Sequence, residues 1–264
     1  MATITSGDAS LYYRELGSGS PLLLIHGLGA SADVFDYTLP LFAERHRVIA
    51  YDRRGYSRSG SKAAPSQGYL KSQAEDAAAL LQKLQAAPAT VVGWSMGGII
   101  GLCLALEHPR LVSRLVMWEP PLHATKHMPL RNLVPLTKAL FFSAIGRERR
   151  AVATFLRMTL ALPDGSSGYD NLDHDTRESV LVNARTLLHE LKTGTGEELT
   201  AERVRQLRCP ISAIVGGDSM ALFGEAVDRL AKMLPHMQVI RAPGTNHLSL
   251  MTQPADFARL VLQA

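Results

Sequence analysis

The sequence predicts an α/β fold: a mostly parallel sheet flanked by helices. Two observations carry this expectation. Short continuous apolar runs, suited to strands buried on both faces, alternate with segments of helical spacing. That alternation stops near Pro120, gives way to about ninety residues without a convincing strand, and resumes near Ile211. The composition supplies the material for such a core, with 46% hydrophobic and 20% charged residues among 264.

The elements follow in chain order. Thr3 to Ser6 and Ser10 to Glu15 form an antiparallel pair around a turn at Gly7-Asp8. After the breaker Gly17-Ser18-Gly19-Ser20-Pro21, Leu22 to Ile25 is the first buried strand. Ala32 to Ala43 has helical spacing, Val48 to Tyr51 is a strand, and Gln67 to Leu84 is a helix with Ala78, Leu81 and their neighbours on one stripe. Thr90 to Val92 is a strand, Met96 to about His108 a helix, and Leu115 to Trp118 a strand. Helical stretches are expected around Leu136 to Leu160 and Arg177 to Lys192, separated by a polar loop from Pro163 to Gly168. The final units are Ile211 to Val215 (strand), Glu225 to Leu234 (helix), Gln238 to Arg241 (strand) and Pro254 to Leu262 (helix). The organisation read from this is a core of residues 1–120 and 209–264, with residues 121–208 as an inserted helical lid.

The bulk features exclude several classes. No apolar run approaches the ~18 residues that a membrane span would suggest, and the N-terminus lacks the basic and apolar regions of a secretion signal. A cytoplasmic protein is expected, with Cys103 and Cys209 as reduced thiols. The formal charge is +4, and basic residues gather between Pro121 and Leu160: Lys126, Arg131, Lys138, Arg147, Arg149, Arg150 and Arg157. A solvated helical face explains them most simply, and a surface that meets an acidic substrate or partner is the sharper alternative. The aromatic interleaving of a nucleic-acid surface is absent. His123 and His127 have i, i+4 spacing but lack the acidic partner of a metal helix, so neither a metal nor an organic cofactor is expected.

Gly93-Trp94-Ser95-Met96-Gly97-Gly98 lies where a strand meets a helix. That is the context in which G-x-S-x-G builds a nucleophile on a strained turn. The backbone N–H of Met96 is expected to face a developing oxyanion. A second glycine turn, His26-Gly27-Leu28-Gly29, ends another buried strand and offers the N–H of Leu28 as a second donor. Pro243-Gly244-Thr245-Asn246-His247 follows the last strand. His247 then stands after the nucleophile and both candidate acids, which suits a general base.

With these motifs the chain resembles the α/β-hydrolase superfamily over nearly its whole length, and the resemblance implies the α/β-hydrolase fold. The segment Tyr51 to Ser59 is similar to the family's D-x-R-G-x-G-x-S loop, with Tyr56 where a glycine often stands. An insertion after the sixth family strand is the usual place for a lid. The family includes esterases, lactonases, carbon–carbon bond hydrolases, epoxide hydrolases, dehalogenases and cofactor-free haloperoxidases. A serine at position 95, in place of aspartate, argues against the epoxide hydrolase and dehalogenase chemistries.

The histidine needs a buried carboxylate, and two positions could supply it. Asp218 follows the penultimate strand, 29 residues before His247, but counted from Gly216 the G-x-x-D slot falls on Ser219. Glu119 ends the preceding strand, 24 residues after Ser95. Some dehalogenases and a zearalenone-type lactone hydrolase group look similar in carrying the acid there. The slipped spacing at Gly216 tilts the choice toward Glu119 while leaving Asp218 open.

The expected activity is acyl transfer to water through Ser95, His247 and one of these acids, on a small hydrophobic ester or lactone. Leu28, Met96, Trp94 and Gly27 are the expected residues around the substrate. A carbon–carbon hydrolase acting on a diketone-like substrate, and a non-catalytic small-molecule-binding protein of the same shape, are the alternatives. The partner expected is a small molecule, with no nucleic acid and no membrane. The sequence carries no signature of an oligomeric state.

Overall fold

A computed structural model describes residues 2–61, 68–124, 130–192, 196 and 198–264. Among the described residues, nine strands form one sheet: β1 (Ala2–Ser6), β2 (Ala9–Leu16), β3 (Ser20–Ile25), β4 (His46–Tyr51), β5 (Gly60–Ser61), β6 (Ala89–Trp94), β7 (Val112–Trp118), β8 (Ile211–Gly216) and β9 (Gln238–Ala242). Their spatial order is β1-β2-β4-β3-β6-β7-β8-β9, with the short β5 beside β2. The β1, β2 and β5 pairings are antiparallel, and every pairing from β4 through β9 is parallel.

The helices are α1 (Leu39–Ala43), α2 (Tyr69–Lys83), α3 (Met96–Glu107), α4 (Leu133–Ala144), α5 (Glu148–Thr159), α6 (Gly168–Asn171), α7 (His174–Val182), α8 (Ala184–Leu191), α9 (Ala201–Val204), α10 (Ala221–Met233), α11 (Ser249–Thr252) and α12 (Pro254–Gln263). Alternate side chains of each central strand face opposite layers, as the pleat demands. Leu23, Ile49, Val91, Leu115 and Ala213 pack with α2, α3 and α10. Leu22, Val48, Val92, Val116 and Ile214 pack with α1, α12 and the helices between β7 and β8. Both faces are therefore covered, which is why the strands read as unbroken apolar runs. Among the described residues, no helix is long and apolar enough to cross a membrane.

The structure breaks three segments that the spacing predicts as continuous. Ala32 to Ala43 is a 3-10 turn over Ala32–Phe35 followed by α1. Leu136 to Leu160 is split into α4 and α5 at Gly146, whose φ of +73° suits glycine. Arg177 to Lys192 is split into α7 and α8 at Asn183, which is buried and bonded to the core. Helix α2 begins at Tyr69, and the expected start at Gln67 lies outside the described residues. In the loop after β4 the left-handed residues are Gly55 (φ +77°) and Ser57 (φ +46°). Ser57, and not Tyr56, thus holds the place that a glycine would suit.

Candidate active site

Ser95 stands one residue beyond β6 and directly before α3. Its φ of 55° and ψ of −122° lie in a region that L-residues rarely occupy. The surrounding bonds fix this turn. The N–H of Ser95 donates to the Trp118 carbonyl at 2.8 Å, and the N–H of Gly98 donates to the Ser95 carbonyl at 2.9 Å. Side chains at the two flanking glycines would not fit. A Cβ at Gly93 would lie 2.4 Å from the Gly97 carbonyl oxygen, and one at Gly97 would lie 2.0 Å from that of Ile25. Helix α3 starts at Met96, so its first N–H groups lack intrahelical acceptors and its positive end lies beneath the serine.

Glu119 stands one residue beyond β7, with φ +49°, and is fully buried. Its N–H donates to the Ile214 carbonyl at 2.9 Å. Its Oε1 accepts from the Gly216 N–H at 2.7 Å, and its Oε2 lies 2.6 Å from His247 Nδ1. With both carboxylate oxygens engaged, the imidazole orientation is fixed, and Nδ1 as donor leaves Nε2 free to accept a proton. Two further groups hold the ring. The Trp94 indole N–H donates to the His247 carbonyl at 2.8 Å. The Phe223 ring stacks on the imidazole at 4.1 Å between centroids. Phe223 carries no sequence signal beyond its place in a helix after a strand.

Asp218 is placed elsewhere. It is exposed, and its N–H donates to the Thr245 carbonyl at 2.9 Å. Together with Ser219 and Asn246 it lines a side chamber of about 80 Å³ that His247 also borders. Of the two carboxylates, Glu119 is the one brought to His247 Nδ1.

A cavity of about 330 Å³ opens above Ser95. Leu28, Trp94, Ser95 and His247 line it from the core side; Phe155, Leu156, Leu160 and Val180 line it from the segment between β7 and β8. Met96 and Gly27 do not line it. Gly27 packs behind the serine: a Cβ there would lie 2.9 Å from Ser95 Cβ and 3.1 Å from the Trp94 ring. Neither the Leu28 N–H nor the Met96 N–H meets an acceptor among the described residues.

The charged residues at the cavity mouth are Asp33, Asp36 and Asp175. Lys138, Arg147, Arg149, Arg150 and Arg157 do not line the cavity. Arg149 pairs with Glu178 at 2.6 Å, Arg157 with Asp170 at 2.9 Å, and Arg150 lies over the Phe142 ring. Lys126, His127 and the Arg131 side chain lie outside the described residues. Among the described residues no group of three or more His, Cys, Asp or Glu could hold a metal ion.

The glycine turn is underpinned from below. His26 is buried, with Nδ1 2.8 Å from the Gly27 carbonyl oxygen and Nε2 accepting the Arg53 N–H at 3.0 Å. Burial, reinforced by the Arg53 charge, pushes the His26 pKa well below the ordinary imidazole value. It is therefore neutral, with the proton on Nδ1.

A model of the α/β hydrolase fold family matches residues 20–254. The chain is 39% identical over 126 residues to the uncharacterised hydrolase YraK of Bacillus subtilis (strain 168), an alignment covering 47% of this chain and 46% of YraK. It is 28% identical over 262 residues to a RutD protein of Serratia proteamaculans (strain 568), provisionally named a carbamate hydrolase, covering 96% of this chain and 94% of that one. The esterase EaEST of Exiguobacterium antarcticum superposes with a TM-score of 0.81 at 18% identity, over 99% of this chain and 97% of that one, which shows a shared fold. The chain belongs to the α/β hydrolase fold family.

Proposed function

We propose that this member of the α/β hydrolase fold family is a serine hydrolase that cleaves small esters or lactones with an apolar acyl part. The observation that carries the reading is the 2.6 Å contact between Glu119 and His247 beside a serine held on a strained strand-to-helix turn. In this reading Ser95 Oγ attacks the carbonyl carbon as His247 Nε2 takes its proton. The imidazolium is stabilised by Glu119 Oε2 through Nδ1–H. The N–H groups of Leu28 and Met96 receive the oxyanion, a role suited to donors without other acceptors. Collapse expels the alkoxide, which takes the proton from His247. Water activated by the same base then releases the acid from Ser95.

The substrate class rests on the cavity. Leu156, Phe155, Leu160 and Val180 offer dispersion and burial but no hydrogen bonds, so the acyl part they suit is apolar. The helices between β7 and β8 act as a lid in this reading, because they supply that half of the wall. Family relatives include proteins named for carbamate as well as ester hydrolysis. Both reactions use the same attack on a carbonyl.

The test is a panel of p-nitrophenyl esters and lactones with wild type and Ser95→Ala, together with a fluorophosphonate probe. Turnover and labelling that both vanish in Ser95→Ala support the reading. A folded wild type that neither turns over any ester or lactone nor takes up the probe overturns it, and ligand binding without catalysis takes its place.

A further inference from the structure

Among the described residues, the deepest charged pair lies directly behind the glycine turn. Arg53 and Glu190 are 0% and 1% exposed, and meet through two bonds of 2.8 and 3.0 Å. Arg53 follows β4, in the core. Glu190 sits in the last turn of α8, in the segment between β7 and β8. Burial opposes the guanidinium charge, while Glu190, Tyr56 and Tyr69 together raise the Arg53 pKa above its ordinary value. Tyr56 OH donates a third bond to Glu190.

Helix α8 faces the core with a polar stripe of helical spacing. Asn183 Nδ2 donates to the Gly29 carbonyl at 3.0 Å and Asn183 Oδ1 accepts the Ser57 N–H at 2.8 Å. Thr186 Oγ1 donates to the Gly55 carbonyl at 2.7 Å. Glu190 completes the stripe one turn further on.

What this pair touches gives it a role. Arg53 Nη2 donates to the Gly27 carbonyl at 3.1 Å, alongside His26 Nδ1. The Gly27 carbonyl belongs to the same peptide unit as the Leu28 N–H. In a trans peptide the two point in opposite directions. Pinning the carbonyl toward the buried arginine therefore aims the Leu28 N–H toward the cavity. A cationic donor on the carbonyl also polarises the peptide, which strengthens its N–H as a donor.

We propose that Glu190, acting through Arg53, is a positioning residue for the oxyanion site. The Leu28 donor is competent when the helical insertion is seated on the core. This inference rests on the hydrolase reading and adds that the insertion helps to form the catalytic site as well as to wall the cavity.

The experiment compares wild type, Arg53→Lys and the paired variant Arg53→Met/Glu190→Leu. Arg53→Lys keeps a charge opposite Glu190 but gives up the planar fork that reaches Glu190 and Gly27 together. The paired variant removes both charges with side chains of similar volume, so no buried charge is stranded and the fold is kept even if Arg53→Lys fails to fold. The readouts are kcat and KM on the best ester, and Ki for a trifluoromethyl ketone, which forms a tetrahedral oxyanion adduct on Ser95. Expected is a fall in kcat of roughly tenfold or more, an equal rise in Ki, and KM within about twofold of wild type. Folded variants with unchanged kcat and Ki, or with a raised KM alone, overturn the inference and leave the hydrolase reading standing. A wild type that neither turns over esters nor binds the ketone overturns both.

Discussion

Ser95 and Glu119 leave neighbouring parallel strands, each with a positive φ. Their φ values are 55° and 49°, and each donates its N–H to the next strand over, Ser95 to Trp118 and Glu119 to Ile214. Each residue extends the sheet ladder by one bond and then turns its side chain above the sheet. Two non-glycine residues in this conformation, one residue past adjacent strands, is strain concentrated where chemistry is proposed.

The first prediction separates the two carboxylates. Glu119→Gln keeps an acceptor for Gly216 but removes the charge facing His247, and kcat should fall by roughly 10³- to 10⁴-fold. Asp218→Asn, at an exposed position, should stay within about twofold. Steady-state rates on one p-nitrophenyl ester decide it. A loss confined to Asp218→Asn would transfer the role to Asp218, and equal losses would show that Glu119 does not hold it alone.

Trp94→Phe removes the indole donor to the His247 carbonyl while keeping most of the ring. The orphaned carbonyl should cost about 1–2 kcal/mol in urea unfolding. Because the loop bearing His247, the proposed base, is then less firmly held, kcat should fall further than KM rises. An unchanged unfolding midpoint and rate would show that the bond contributes to neither.

Gly27→Ala tests whether Gly27 meets substrate or makes room for Ser95. The added methyl would lie 2.9 Å from Ser95 Cβ, so about 1–3 kcal/mol of destabilisation is expected. The serine should shift, lowering kcat with little change in KM. A raised KM at constant kcat and stability would restore Gly27 as a substrate contact.

Leu156→Trp should narrow the cavity above Ser95, where the acyl part is proposed to lie. Hexanoate esters should lose at least roughly tenfold more kcat/KM than acetate esters, since each methylene buried is worth about 0.8 kcal/mol. Parallel losses across the acyl series would place the acyl group elsewhere.

His26 should make stability sensitive to mild acid. Its folded pKa is depressed below the ordinary value of 6.5 by burial and the Arg53 charge. Below pH 6.5 the unfolded chain therefore gains a proton that the folded chain refuses. Stability should be intact above 6.5 and decline beneath it, by up to about 1.4 kcal/mol per pH unit from this group. Urea unfolding of wild type and His26→Asn at pH 7.5 and 5.5 measures the difference. Identical pH slopes for the two proteins would refute it.

The sequence by itself determined the alternation of strands and helices, the turn at Ser95 and the two glycine positions around it. These are local: a buried parallel strand shows as an apolar run, and a turn that tight admits only glycine where backbone atoms approach within 2.5 Å. The sequence also narrowed the acid to Glu119 and Asp218, but could not bring either to His247. Which carboxylate reaches the imidazole depends on how β7 and β8 are staggered and on the Gly216 N–H that holds Glu119. Both are fixed by packing across the sheet. The breaks at Gly146 and Asn183, the Phe223 ring on His247 and the union of Arg53 with Glu190, 137 residues apart, were likewise decided by tertiary structure. A buried ion pair leaves little mark on local spacing, because each charge is tolerated only by a partner that the fold delivers from elsewhere in the chain.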